Sequence, residues 1–284
     1  ETPGRYPFVG SPAVVSTRGG GAIFLNGGNA VVANNTFLHN RSVLNTTNMT
    51  ADGGAVVVYS GAASLINNFF RLNSVTNAAP RGQARGGAIL ALPNARPNVV
   101  NNTFIQNSAS LSNGATSTDL GGAIAFIGSA STNTSQALLA NNLIAYNSTG
   151  LYASGRYPDV RNNLVYGSFK VNYAGIGDQT GMSGNLSAAP RLAGPYGDAH
   201  LTQDSPARDA GDSSVVGSDW VDIDGLPRIS GSRVDIGADE FDGTIIQIAK
   251  RVFYVRPDGN DANAGTTWAA AKRTIENALA SAAF

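Results

Sequence analysis

The chain has 284 residues, a formal net charge of zero, 13% charged residues and no cysteine. Scattered Lys and Arg without a basic stripe argue against a nucleic-acid surface, and no apolar run is long enough to span a bilayer. The missing cysteines leave the compartment open, because a stacked solenoid takes its stability from ladders and not from disulfides.

Residues 1–18 read as an irregular lead, opening Glu1-Thr2-Pro3 as a mature or trimmed product would. Tyr6-Pro7-Phe8-Val9 reads as an edge strand, where proline is tolerated. From Gly19 to Asn147 two phrases then recur in register. Gly20-Gly21-Ala22-Ile23 returns at Gly53, Gly86 and Gly121, in steps of 33, 33 and 35 residues (53−20, 86−53, 121−86). Asn34-Asn35-Thr36-Phe37 returns at Asn67, Asn101 and Asn141, each followed by a further asparagine at Asn40, Asn73, Asn107 or Asn147. A fixed period of this size marks stacked units, each too thin to bury its own apolar face.

The apolar runs Ala22 to Leu25, Ala55 to Tyr59, Ala88 to Leu92 and Ala123 to Ile127 are short and rich in β-branched and aromatic residues. Ala30 to Phe37 reads as a further strand, and no helical period intervenes. The expected fold is all-β, a right-handed parallel β-helix with one short capping α-helix. Its asparagines should stack at one corner of successive coils and hydrogen-bond along the ladder. Arg41 to Asp52, Ser74 to Arg85 and Ser108 to Leu120 read as polar loops stacked on one side. These phrases resemble the repeats of polymorphic outer membrane proteins and related secreted right-handed β-helix proteins. The resemblance covers residues 19 to about 167 and implies architecture, with a secreted, extracellular or cell-surface location, and no chemistry.

Eight N-x-S/T sequons, at Asn34, Asn40, Asn45, Asn48, Asn101, Asn133, Asn147 and Asn185, are candidate glycan acceptors. Asn34 and Asn101 belong to the ladder phrase and are expected to face inward. After Asn147 the period shortens, and Asn162 follows Asn141 by only 21 residues (162−141). Residues 162–241 carry Gly184-Asn185-Leu186, Ser205-Pro206-Ala207-Arg208-Asp209, Asp222-Ile223-Asp224-Gly225 and Val234-Asp235-Ile236-Gly237-Ala238-Asp239-Glu240. This run resembles the terminal module of bacterial surface proteins named choice-of-anchor Q, departing from it at Ala189, Arg208 and Asp239, and is expected to form terminal coils. Asp209, Asp212, Asp222 and Asp224, with Asp258 and Asp261 further on, are the calcium candidates, set against plain turn chemistry. No other cofactor is expected.

Residues 242–251 read as a linker. In 252–284 comes a strand (Val252, Phe253, Tyr254, Val255), the turn Asp258-Gly259-Asn260-Asp261-Ala262-Asn263, Trp268, and a helix expected over Ala269 to Ala283 with Ile275 and Leu279 on one face. This resembles the N-terminal cap of many secreted β-helix proteins, here placed last as if the chain were circularly permuted. About seven coils at roughly 4.8 Å span on the order of 34 Å, about what the ten linker residues reach when fully extended. A cap that serves the next molecule needs no such reach. The expected inter-subunit residues are therefore Val252, Phe253, Tyr254, Val255, Trp268, Ile275 and Leu279.

Enzymes on such walls cluster carboxylates with each other or with Arg and Lys. The repeat strands carry no Asp, Glu or Lys. Asp52 and Asp119 could align, and His39 and His200 read as solvated or hydrogen-bonded. The expectation is a non-enzymatic extracellular structural protein, its partner a further copy of itself in a head-to-tail homopolymer. The alternatives are a glycan-binding or adhesin module, for which Tyr59, Tyr146, Tyr152 and Tyr157 are the aromatic candidates, and a polysaccharide lyase or glycoside hydrolase.

Overall fold

In the computed structural model each strand of the repeat region pairs in parallel with its counterpart one repeat on. The structure describes residues 7–9, 20–45, 50–78, 82–111, 119–128, 137–155, 157–194, 198–243 and 253–281. Two compact units result, residues 1–245 and 246–284.

Three sheets carry the stack. The glycine phrase supplies Ile23–Asn26, Val56–Gly61, Ile89–Ala95 and Ile124–Ile127, continued by Leu151–Ser154 and Tyr173–Ala174. The asparagine phrase supplies two sheets, because the expected single strand is broken. Val31–Ala33 and Thr36–Leu38 are separated by Asn34, whose φ of 57° turns the chain through a corner. Asn67, Asn101, Asn141 and Asn162 repeat that left-handed turn, which asparagine tolerates better than other non-glycine residues. Pro7–Val9 takes the outer edge beside Thr36–Leu38, as its proline predicts. The stack is six strands deep where seven coils were expected. All-parallel stacked sheets of this kind are compatible with a parallel β-helix.

The glycine pair has two separate jobs. Gly53, Gly86 and Gly121 hold φ of 49°, 67° and 72°, open to glycine without a Cβ penalty. A Cβ on Gly54 or Gly87 would collide with the carbonyl of the glycine one repeat on. Inside the stack, Phe37, Phe70 and Phe104 lie face to face at 4.6 and 4.8 Å, and Ile144 and Val165 continue the row.

Two expectations are corrected. The supposed polar loops are ladders: Arg41–Leu44, Ser74–Asn77 and Ser108–Leu111 pair in one sheet, Thr50–Asp52, Gln83–Arg85 and Asp119–Leu120 in another. Leu44, Ala51, Val75, Ala84 and Ala109 form a small core of their own there. The alternation Ser74-Val75-Thr76 is a period-two strand signal concealed by polar composition. The terminal module, expected to coil over 162–241, does so only at its start, where Leu164–Tyr166 and Tyr173–Ala174 lie in the sheets. Asn185 and Leu186 still continue the stack beside Asn163 and Leu164, and the described residues after them, to 241, pack on the outward side of Phe69, Ile105, Leu143, Ala145 and Leu164. Those residues alternate with the inward Phe70, Phe104, Ile144 and Val165, so these strands are apolar on both faces.

In the second unit the strand expected from Val252 reduces to one bridge, Val255 with Lys272, within the described residues. The helix starts at Ile275 and not at Ala269 and is described to Ser281, while its expected end at Ala283 lies outside the described residues. Its start is set by Thr274, whose hydroxyl accepts the Asn277 N–H at 3.2 Å. Among its described side chains Ala278 is buried, while Ile275 is 68% exposed.

Candidate functional site

Paired asparagines position everything on the outer face. The second of each pair points inward: Asn35, Asn68, Asn102, Asn142 and Asn163, joined by Asn185 after Gly184, form one ladder, with amide-to-amide distances of 3.0–3.2 Å. Asn40, Asn73, Asn107 and Asn147 form a second, at 2.8–3.0 Å. Asn68 shows the accounting. Its N–H and one Nδ2–H donate to Asn102 Oδ1, its other Nδ2–H donates to Val32 O, and its Oδ1 accepts twice from Asn35. No hydrogen-bonding capacity is wasted, which is what lets an amide be buried.

The first asparagine points outward, which corrects the inward expectation for Asn34 and Asn101. Asn34 is exposed. Asn67 Nδ2 donates to Val221 O at 2.6 Å, Asn101 Nδ2 to Asp235 O at 2.9 Å, Asn141 Nδ2 to Asp212 O at 3.0 Å and Asn162 Nδ2 to Ala210 O at 3.0 Å. This row clips the terminal segment to the stack. Among the sequons, Asn40, Asn101, Asn147 and Asn185 are therefore buried, Asn34 and Asn45 are exposed, and Asn48 and Asn133 lie outside the described residues.

Within the segment lies a buried cation that sequence reasoning missed. Arg228 donates to Asp235 O at 3.0 Å and Gly237 O at 2.6 Å, with Glu240 Oε2 3.7 Å away. Glu240 accepts the N–H groups of Ser230 and Asp235. Burial pushes its carboxyl up to about 7 against those bonds.

Three turns converge beside it. His200 Nδ1 pairs with Asp198, and its Nε2 lies 2.6 Å from Asp224 Oδ2. Asp224 is held by its turn, where Asp222 Oδ1 accepts the N–H groups of Asp224 and Leu226. Asp239 accepts the Leu201 N–H at 2.7 Å. One ligand atom from each of His200, Asp224 and Asp239 lies within 4.8 Å of the other two. The hydrogen bond to Asp198 raises the His200 pKa to about 9 despite burial. Burial raises Asp239 to about 6, against the Leu201 amide and His200. The spacing Asp198-Ala199-His200 was the available signal, but nothing local announced that Asp224 and Asp239 meet it.

Of the calcium candidates, only Asp224 joins this cluster. Asp209 accepts the Ser232 and Arg233 N–H groups, Asp212 that of Ser214, and Asp222 those of its own turn. Asp261 accepts the Arg273 and Thr274 N–H groups, and Asp258 lies 3.3 Å from Arg256 Nε. These are the turn roles weighed against calcium. Asp52 pairs with Arg85 at 2.7 Å. It shares a rung with Arg85 and Leu120, whereas Asp119 shares one with Ala84, so the two aspartates do not align. His39 is exposed.

The aromatic candidates form no row. Tyr146 packs edge-on to Tyr166 under the segment, Tyr59 lies 5.7 Å from Phe24, Tyr152 joins the small cluster of Val57, Leu90 and Ala125, and Tyr157 donates to Gly175 O. In the second unit the Tyr254 ring stands edge-on to Trp268 at 6.0 Å, and Trp268 is 59% exposed. Tyr254 N–H donates to Gly265 O at 2.8 Å, and Phe253 lies against Gly265. Val252 and the side chain of Leu279 lie outside the described residues. No described helix is long and apolar enough to cross a membrane. No model of a protein family matches the chain, and neither does any curated protein or solved structure.

Proposed function

We propose that this is a non-enzymatic extracellular structural protein, a right-handed parallel β-helix whose copies join head to tail. The observation that carries the reading is the outer edge of the first repeat. Among the described residues nothing pairs with the far side of Ile23–Asn26 or Val31–Ala33. Phe24 and Val31 are 43% and 67% exposed there. The ladder leaves an acceptor at the same end, since each asparagine donates to the next repeat and Asn35 Oδ1 receives no donor among the described residues. Unpaired edges of this kind invite strand addition. The occupant we assign is unit 246–284 of a neighbouring copy, which presents Trp268 and Ile275. A contact between two different surfaces propagates unless its rotation closes a ring. The non-enzymatic part of the reading rests on how polar groups are spent: the buried asparagines are locked in ladders, and Asp52 and Asp159 pair with Arg85 and Arg161. The extracellular part rests on the resemblance of the repeats.

The test is concentration-dependent assembly of the full chain, followed by light scattering and electron microscopy. Full chain should form filaments, and a variant lacking residues 252–284 should remain short or monomeric. Full chain that stays monomeric at high concentration would overturn the reading.

A further inference from the structure

We propose that His200, Asp224 and Asp239 form a binding site for one divalent transition metal ion of the zinc class. Three separate turns bring the ligands together: residues 198–201, the turn at 222–227 and the run 234–240. The donor set is one imidazole nitrogen and two carboxylates. Zinc accepts that mixture, whereas calcium takes oxygen ligands, six to eight of them.

Two further features single this cluster out from the other acidic turns. Asp198 holds the Nδ1 side of His200, also accepting the His200 backbone N–H at 3.1 Å, and so aims Nε2 at the carboxylates. A carboxylate behind a ligating histidine fixes the ring and its tautomer. Asp239 is the second feature. It is 4% exposed, accepts a single hydrogen bond, from Leu201, and makes no other among the described residues. Its second oxygen accepts no hydrogen bond among the described residues and keeps some contact with solvent, which leaves it available to a cation. Asp222, by contrast, spends both oxygens on backbone amides, and Asp209 and Asp212, which use Oδ1 alone for theirs, lie outside the cluster.

The adjustment required is small. Tetrahedral ligands about 2.0–2.1 Å from zinc lie about 3.3 Å apart. Nε2 and Asp224 Oδ2 must open from 2.6 Å, and the widest pair must close from within 4.8 Å. Asp224 has one-third of its side chain exposed and can supply the movement. On binding, the ion takes the place between Nε2 and Asp224 now held by a proton, which passes to solvent. Three protein ligands leave a fourth position for water or for a donor from outside the chain. The ion would pin the three turns of the outer segment to one point, since nothing in the unfolded chain holds these ligands together.

The experiment uses the full chain stripped with EDTA and titrated with zinc chloride by calorimetry, with cobalt chloride as a spectroscopic substitute. One zinc ion should bind per chain, calcium chloride should not displace it, and the cobalt form should show the strong visible absorption of a four-coordinate ion. Asp224→Asn and His200→Gln should each weaken binding at least tenfold, while Asp219→Asn, on an exposed turn, should leave it unchanged. Zinc binding that is absent in the wild type, that persists in both site variants, or that calcium displaces equally would overturn the proposal. So would a six-coordinate cobalt spectrum, a readout that stands even if a variant fails to fold.

Discussion

The stack of repeats and the segment folded over it belong to one unit but are held in different ways. In the stack each inward asparagine repeats the bonds of the last, and the phenylalanine row repeats one contact at 4.6 and 4.8 Å. The described residues of 187–243 make no such periodic contacts among themselves. Carboxylates are spent one by one on backbone amides, and an arginine lies fully buried among carbonyls. The stack is thus neutral and periodic, and the segment charged and irregular. The two meet at the asparagine pairs, where one amide serves the ladder and its neighbour clips the segment. Disturbing the ladder should therefore affect the whole unit, while disturbing the clip should affect the segment alone.

The largest expected effect is in the stack. Phe70→Ala removes the middle ring of a three-ring row that is wholly buried. It should cost about 3–5 kcal/mol and lower the thermal midpoint of the whole unit, read by circular dichroism. A silent result would mean that the asparagine phrase is out of register.

The asparagine doublet gives the sharper contrast. Asn68→Ala strips two donors of Asn35 of their acceptor and should cost on the order of 1–3 kcal/mol, again read in the global melt. Asn101→Gly keeps the left-handed corner, φ 55°, and removes the bonds to Asp235 O and Gly237 O. Hydrogen exchange should then quicken in residues 209–240 and stay unchanged in the ladder. Equal protection loss in both regions would end the division between ladder and clip.

The smallest effect expected is that of pH. The Arg233 amide, aided by Ser232 and Arg208, holds Asp209 below the usual carboxylate range, and the Ser214 hydroxyl, with Arg161 and Arg233, does the same for Asp212. A depressed folded pKa gives stability that is present above the unfolded value, 3.8, and lost as pH falls through the folded one. Asp235, Asp239 and Glu240, raised by burial, oppose this until pH falls below their unfolded values, so the loosening comes at the acid end of the range. The amide ladders carry no proton to titrate. Between pH 5 and pH 2, in EDTA, the segment should loosen before the stack, seen as earlier exchange at residues 209–216 and 230–235. Simultaneous loosening would show that the segment has no separate electrostatic hold.

Much of the stack was legible because its physics is local and periodic. Gly-Gly and Asn-Asn recur because a corner needs left-handed backbone and a close approach, and only a few residue types provide these. Ser74–Asn77 and its counterparts were misread as loops because their small core is hidden under polar composition. Outward Phe69, Ile105 and Leu143 were legible as apolar, but not as the floor of another segment. Asn34 and Asn101 have the same local sequence, yet one is exposed and the other buried, because the segment reaches only one of them.

The sequence by itself determined the repeat, its strands and its ladders, since neighbours one period apart must stack whatever else the chain does. Only the tertiary structure decided where residues 187–243 lie and that His200, Asp224 and Asp239 meet. Those contacts join turns with no common period, and their partners are chosen by packing against the outer face of the stack.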